Sequence, residues 1–201
     1  MPAKKEVRKR RTQEERSTET QEKIIRGAAN CIVEHGYKAA TMKAIAEAAG
    51  ITWGAIQHHF GDKESILKGV TNLGAVEFRE RIQHIDLSGL SLQERVDEFL
   101  VQAQIQTRDE LYLASQVILR NMPQKLNVTD YSLMEETLRD SWAALFGDVN
   151  IGKKRHAHLR DFTFMTLNAI GLERVSFENS ERLERSHFKV LNEVLMHFLS
   201  E

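Results

Sequence analysis

Thr41-Met-Lys-Ala-Ile-Ala-Glu-Ala-Ala-Gly50-Ile-Thr-Trp-Gly-Ala-Ile-Gln-His-His-Phe60 contains two short helical patterns that meet at a glycine. Met42, Ile45, Ala46 and Ala49 recur at the spacing of one helix face, and Thr41 stands where an N-cap belongs. Gly50 supplies the turn and Ile51 pins it to a core. Thr52 caps a second helix reaching to about His59, with Ala55, Ile56 and Phe60 facing inward. Trp53, Gln57 and His58 are left on or near the outer surface. Gly54 lies in the first turn, where its cost to a helix is tolerable if something must approach closely. The pattern is that of a helix-turn-helix, whose second helix can enter the major groove of DNA.

Upstream, a helix is predicted to start near Ser17–Thr20 and run to His35, burying Ile25, Ala28, Ala29 and Ile32 before Gly36 ends it. Cys31 lies close to that face as a small buried thiol. It is the only cysteine, so no internal disulfide framework exists, and a reducing cytosol fits. Residues 1–16 form a basic arm, densest from Lys4 to Arg11, with no core-forming pattern. Such an arm neutralises phosphates or reaches the minor groove, or is merely a solvated tail.

Downstream, Gly61-Asp62 stops the recognition pattern and caps a longer helix from Lys63 to about His84. Further stripes follow. Leu92, Val96, Phe99, Leu100 and Ala103 make one; Leu111, Ala114, Val117, Ile118 and Met122 another; Tyr131, Met134, Leu138, Trp142 and Leu145 a third. Residues 155–175 and 181–199 make the last two helices. The segment 162–172 is apolar on nearly every side, and Phe188, Leu191, Leu195 and Phe198 form a stripe flanked by Val190 and Val194. Two adjacent helices with surplus apolar surface predict a homodimer through that pair, unless the rest of the bundle covers them.

The whole chain of 201 residues therefore reads as all-α: an arm (1–16), a three-helix DNA-binding domain (17–62), and a helical bundle for ligand binding and dimerisation (63–201). Two prolines and eleven glycines suit this class. Charge is uneven. Residues 1–68 carry 13 basic and 9 acidic side chains, and the remainder 15 and 20, which points to a polyanion partner for the front end alone. Neither a signal-peptide apolar run nor a membrane span is present, so a cytoplasmic location is expected. His58-His59 are adjacent and His156 and His158 two apart, so neither pair has the i, i+4 spacing of a helical metal site. No phosphate loop or nucleophile elbow occurs, so neither catalysis, a metal nor a cofactor is expected.

Candidate DNA contacts are Thr41, Lys43, Thr52, Trp53, Gly54, Gln57, His58 and Lys63. The two threonines either cap their helices, touch phosphate, or do both. Gln57 is suited to pair with adenine N7 and its amino group. Trp53 packs against sugars or a thymine methyl, or else anchors the core. Lys63 stands at a helix start, where the macrodipole disfavours a cation; phosphate contact or ordinary solvation would explain it. A ligand pocket is expected near Phe99, Ala103, Val117, Tyr131, Met134 and Trp142, although such a stripe also describes ordinary core. Gln102, Gln116, Thr166 and Asn168, polar among apolar neighbours, could hydrogen-bond a ligand or one another.

The segment from about Gln21 to Leu67 resembles the DNA-binding domain of the TetR/AcrR family of bacterial transcriptional regulators. Ile25 with Ala28-Ala29, Gly36-Tyr37, Ala40-Thr41-Met42, Ile45-Ala46, Ala49-Gly50-Ile51, Gly54 through Phe60, Lys63-Glu64 and Leu67 carry the likeness. The resemblance implies a DNA-binding head on a helical body that dimerises through its last two helices. It also implies a repressor of a palindromic operator, released when a small-molecule effector fills a pocket in the body. The chain departs from the family pattern at Gln57, where Tyr is frequent, and at Trp53, where smaller or basic residues are common.

Overall fold

The computed structural model describes residues 12–121, 128–176 and 181–201, with side chains omitted for 128–135, 175 and 181–183. Every regular element among them is a helix: α1 (Gln13–His35), α2 (Met42–Ala49), α3 (Trp53–Phe60), α4 (Lys63–Gln83), α5 (Leu92–Gln106), α6 (Glu110–Asn121), α7 (Val128–Phe146), α8 (Lys153–Ser176) and α9 (Glu181–Ser200). The all-α expectation holds.

One boundary moves. Thr12 Oγ1 accepts the backbone N–H of Glu15 at 3.1 Å, and the Glu15 carboxylate accepts the Thr12 N–H at 2.7 Å. This reciprocal capping box starts α1 at Gln13 rather than near Ser17–Thr20. Residues 13–16, assigned to the arm from sequence, are thus helical; 1–11 lie outside the described residues.

The head is built by short-range chemistry. Thr41, Thr52 and Asp62 each cap the helix that follows, their side chains accepting from the N–H three residues on. Gly50 adopts a left-handed conformation (φ 65°, ψ 35°), and Ile51 N–H reaches back to Ala46 O at 3.0 Å, closing α2 and re-aiming the chain into α3. α1 and α2 meet backbone to backbone at Gly27, where an added Cβ would stand 2.8 Å from the Ala49 nitrogen.

Two cores result. The first joins Ile24, Ala28 and Ile32 of α1, Ile45 of α2 and Ile56 of α3 to Ile66, Leu67 and Val70 of α4. Leu111, Ala114 and Ile118 of α6 complete it, so the division at residues 62/63 falls in the chain and not in the packing. Ile24 replaces the expected Ile25 as the fully buried residue; Ile25 is only partly covered. The second core gathers Phe78 and Ile82 with Phe99, Phe146, Phe164, Leu167, Leu191 and Leu195. Each fully buried aliphatic or aromatic side chain contributes about 1.5–3 kcal/mol of transfer free energy. α4 and α6 have residues in the head core and also reach into the body, so these two helices join the two halves.

Candidate functional site

α3 is only eight residues long and would not persist alone in water. Ile56 anchors it with no exposed surface, Thr52 caps it, and Phe60 packs partly into the head core. What remains faces outward. Trp53 is 54% exposed and is not among the described residues of the head core or those packed against it, contrary to its alternative reading as a partly buried anchor there. Gly54, Gln57 and His58 are exposed beside it, on residues one and four apart along the helix. Nothing stands within 4 Å of a Cβ built on Gly54, so in the free protein its backbone is open to an approaching surface.

Thr41 and Thr52 are exposed, and both spend an oxygen lone pair on capping, from Ala44 N–H at 3.2 Å and Ala55 N–H at 3.3 Å. Capping leaves each hydroxyl hydrogen free to donate to a phosphate oxygen. Lys43 extends from the first turn of α2 with an exposed side chain, its ammonium 4.0 Å from Glu47. Lys63 differs from expectation. Its ammonium donates to the Tyr37 carbonyl oxygen at 2.9 Å and lies over the Tyr37 ring, and burial lowers its pKa. The carbonyl and ring explain a cation at a helix start without phosphate.

This arrangement, a capped short helix presenting an aromatic, an amide and a bare backbone on one exposed face, fits insertion into a groove. Residues 24–70, which contain it, match the family described as bacterial regulatory proteins, tetR family. The head of this chain is thus of the tetR family type. Over 66 residues it is 39% identical to the transcriptional repressor AcnR of Corynebacterium glutamicum, covering 33% of this chain and 35% of that protein. Over 59 residues it is 44% identical to the transcriptional regulator CymR of Pseudomonas putida, covering 29% of each. The matched stretch thus spans about a third of the length of these curated relatives. The body is matched by shape. A transcriptional regulator from Rhodococcus sp. Rha1 superposes with a TM-score of 0.70 over 90% of this chain and 96% of that one, at 16% identity. Salmonella enterica GusR superposes at 0.64 over 91% and 96%, at 20% identity. At such identity these likenesses show the fold alone.

A cavity of about 160 Å³ lies inside the helical body. α4 contributes Thr71, Gly74, Ala75 and Phe78; α5 and the turn after it, Ala103, Gln106 and Thr107; α6, Tyr112, Ser115, Gln116 and Leu119. Thr137 and Leu138 of α7 and Phe164, Leu167 and Asn168 of α8 close it. Of the expected pocket residues whose side chains are described, only Ala103 is there. Phe99 is 1% exposed and stacks edge-to-face on Phe146 and Phe164 in the body core. Val117 packs against the head core instead. Trp142 lies against Phe146, its indole N–H donating to His156 Nδ1 at 3.1 Å while His156 Nε2 holds the Val149 carbonyl at 2.7 Å. The side chains of Tyr131 and Met134 lie outside the described residues. Of the four polar candidates, Gln116 and Asn168 line the cavity, whereas Gln102 donates to Glu98 and Thr166 to the Phe162 carbonyl.

The α4 wall was missed because α4 read as a connector. The signal was present: Thr71, Gly74 and Ala75 are small or polar residues at buried positions of a long helix, where a tight core would place larger ones. Among the described residues no three His, Cys, Asp or Glu side chains group to hold a metal ion, and no helix is long and apolar enough to cross a membrane.

Proposed function

We propose that the protein is a homodimeric repressor that reads a palindromic operator with α3 and releases it when a small molecule fills the body cavity. The carrying observation is the exposed Trp53–Gly54–Gln57 face of a helix rigidly held by its cap, its turn and Ile56. Gln57 reads a base edge, Trp53 covers sugar or a thymine methyl, and Thr41, Thr52, Lys43 and His58 position the head on the phosphates. The relatives AcnR and CymR, a repressor and a regulator by name, support the same role for the matched head.

Dimerisation rests on the last two helices. Phe162 and Met165 of α8 and Val190 and Phe198 of α9 are exposed, Met165 by 72%. Large apolar side chains exposed on two neighbouring helices support an interface with a second copy. Two heads would then meet half-sites about 34–36 Å apart, one helical turn, or a multiple of it.

Control follows from shared helices. α4 puts Ile66, Leu67 and Val70 in the head core and Thr71, Gly74, Ala75 and Phe78 on the cavity. α6 does the same with Leu111, Ala114 and Ile118 against Tyr112, Ser115, Gln116 and Leu119. A molecule that shifts either helix moves the head, a coupling typically worth about 1–3 kcal/mol. The test is selection of bound duplexes from a random pool, followed by salt titration of the winner and sedimentation of the protein. An enriched inverted repeat bound by a dimer is expected; salt-sensitive binding without enrichment would remove operator recognition.

A further inference from the structure

We infer that the body cavity takes an uncharged, largely apolar molecule about the size of one substituted ring, held by a hydrogen bond to the Thr137 hydroxyl. The inference rests on the effector reading above and narrows its chemistry. Thr137 lines the cavity, is 1% exposed, and its Oγ1 has no hydrogen-bond partner among the described residues. A buried hydroxyl left unpaired is costly, so one at a cavity wall marks the place where a ligand atom completes it. The other hydroxyls on the wall are already spent on their own helices or turns: Thr71 on Lys68 O, Thr107 on Gln104 O and Ser115 on Leu111 O. The Tyr112 phenol, its pKa raised by burial, donates to Asn168 Oδ1 at 2.9 Å and stays neutral. Gln116 brings an amide to the same wall.

Charge decides the class. Among the described residues the lining contains no Lys, Arg, His, Asp or Glu, and residues 128–135 of α7 include no basic residue either. Arg81 stands behind the wall, its guanidinium donating to Gln106 Oε1. A carboxylate entering the cavity would lose its water and meet no charged side chain among the described lining residues, whereas a ketone, lactone or ester would find a donor. The volume sets the size, since a cavity of about 150 Å³ in a protein interior holds benzene.

The experiment is calorimetric titration of the full chain with a panel of single-ring ketones, lactones and esters, acetophenone first, each paired with a carboxylate of matched size such as benzoate. Thr137→Val and Thr137→Ser are titrated alongside, and anisotropy of the selected operator duplex is read in parallel. Expected are binding of uncharged members, at least tenfold weaker binding of their carboxylates, and about tenfold loss in Thr137→Val. Thr137→Ser should keep the affinity, and Thr137→Val should melt no lower than wild type, because the hydroxyl it removes bonds nothing in the free protein. Carboxylates binding as tightly, no panel member binding, or an unchanged Thr137→Val affinity would each overturn the inference. Uncharged compounds that bind through Thr137 yet leave duplex affinity unchanged would uphold it and remove the effector reading instead. A carboxylate that releases the duplex would do the reverse.

Discussion

The Lys63 ammonium sits 4.4 Å above the centre of the Tyr37 ring and donates to the carbonyl oxygen of the same residue at 2.9 Å. One side chain thus ties the start of α4 to the turn between α1 and α2. Removing it costs a charge-assisted hydrogen bond and a cation–π contact. Lys63→Ala should therefore lower head stability by about 1–2 kcal/mol. Its charge is engaged inside the head, so the slope of log affinity against log salt should stay close to wild type. Lys43 behaves oppositely. Its side chain is exposed and only loosely paired with Glu47, so Lys43→Ala should leave the melting temperature unchanged and reduce the salt slope by about 0.9. Salt titration beside thermal melts checks both. A reduced slope in Lys63→Ala without loss of stability would return Lys63 to the phosphates.

Gly54→Ala separates folding from binding at one atom. The new methyl meets nothing within 4 Å in the free protein, and alanine suits a helix better than glycine. The variant should gain about 0.4–1 kcal/mol of stability. On DNA the same methyl would stand where the backbone must come close, so affinity for the selected operator should fall at least tenfold. Equal affinity in the two proteins would mean that DNA never approaches Gly54.

Legibility followed the range of the interactions. Thr41, Thr52, Asp62 and Gly50 act on neighbours three to five residues away, so their roles could be read from spacing. The capping box of Thr12 and Glu15 is equally local and was available, but the basic run before it drew the helix start too far downstream. The exposure of Gln57 and Gly54 followed from the apolar face opposite them. The fate of Lys63 did not, because Tyr37 is brought to it only by the fold. The cavity was least legible. Phe99 and Trp142 have the composition of a pocket stripe yet fill the body core, while Gly74 and Thr137 have little hydropathy signal and make the wall. Which apolar residues surround empty space depends on five helices at once, and periodicity along one helix contains no record of that.

Gln57 is exposed and stands beside Trp53 on the outward face of α3. Gln57→Ala should therefore not change the melting temperature. It should relax preference at one base pair in each half-site, at a cost of about 1–3 kcal/mol for the preferred base. Repeating the duplex selection with the variant would show this as a single flattened position. Uniform weakening across all positions would assign Gln57 to the backbone contacts.

Glu184 supplies the last prediction, on the link between the last two helices and the cavity. Its carboxylate is 2% exposed and accepts from Arg108 Nε at 3.1 Å and from the Arg174 guanidinium. Arg108 precedes Asp109, whose carboxylate caps the N–H groups of Leu111 and Tyr112, and those two residues face the head core and the cavity. Glu184 therefore ties α9 to α8 and to the start of α6. Glu184→Gln keeps the shape and leaves two guanidinium groups without their anion. The loss should be about 2 kcal/mol, at the low side for a buried pair because Arg108 is half exposed. A purely local role would change stability alone. If the link positions α6, Glu184→Gln should also change how strongly a cavity ligand weakens operator binding, measured by anisotropy with and without ligand at a temperature where both proteins are folded. Unchanged coupling with lowered stability would confine Glu184 to holding α8 against α9.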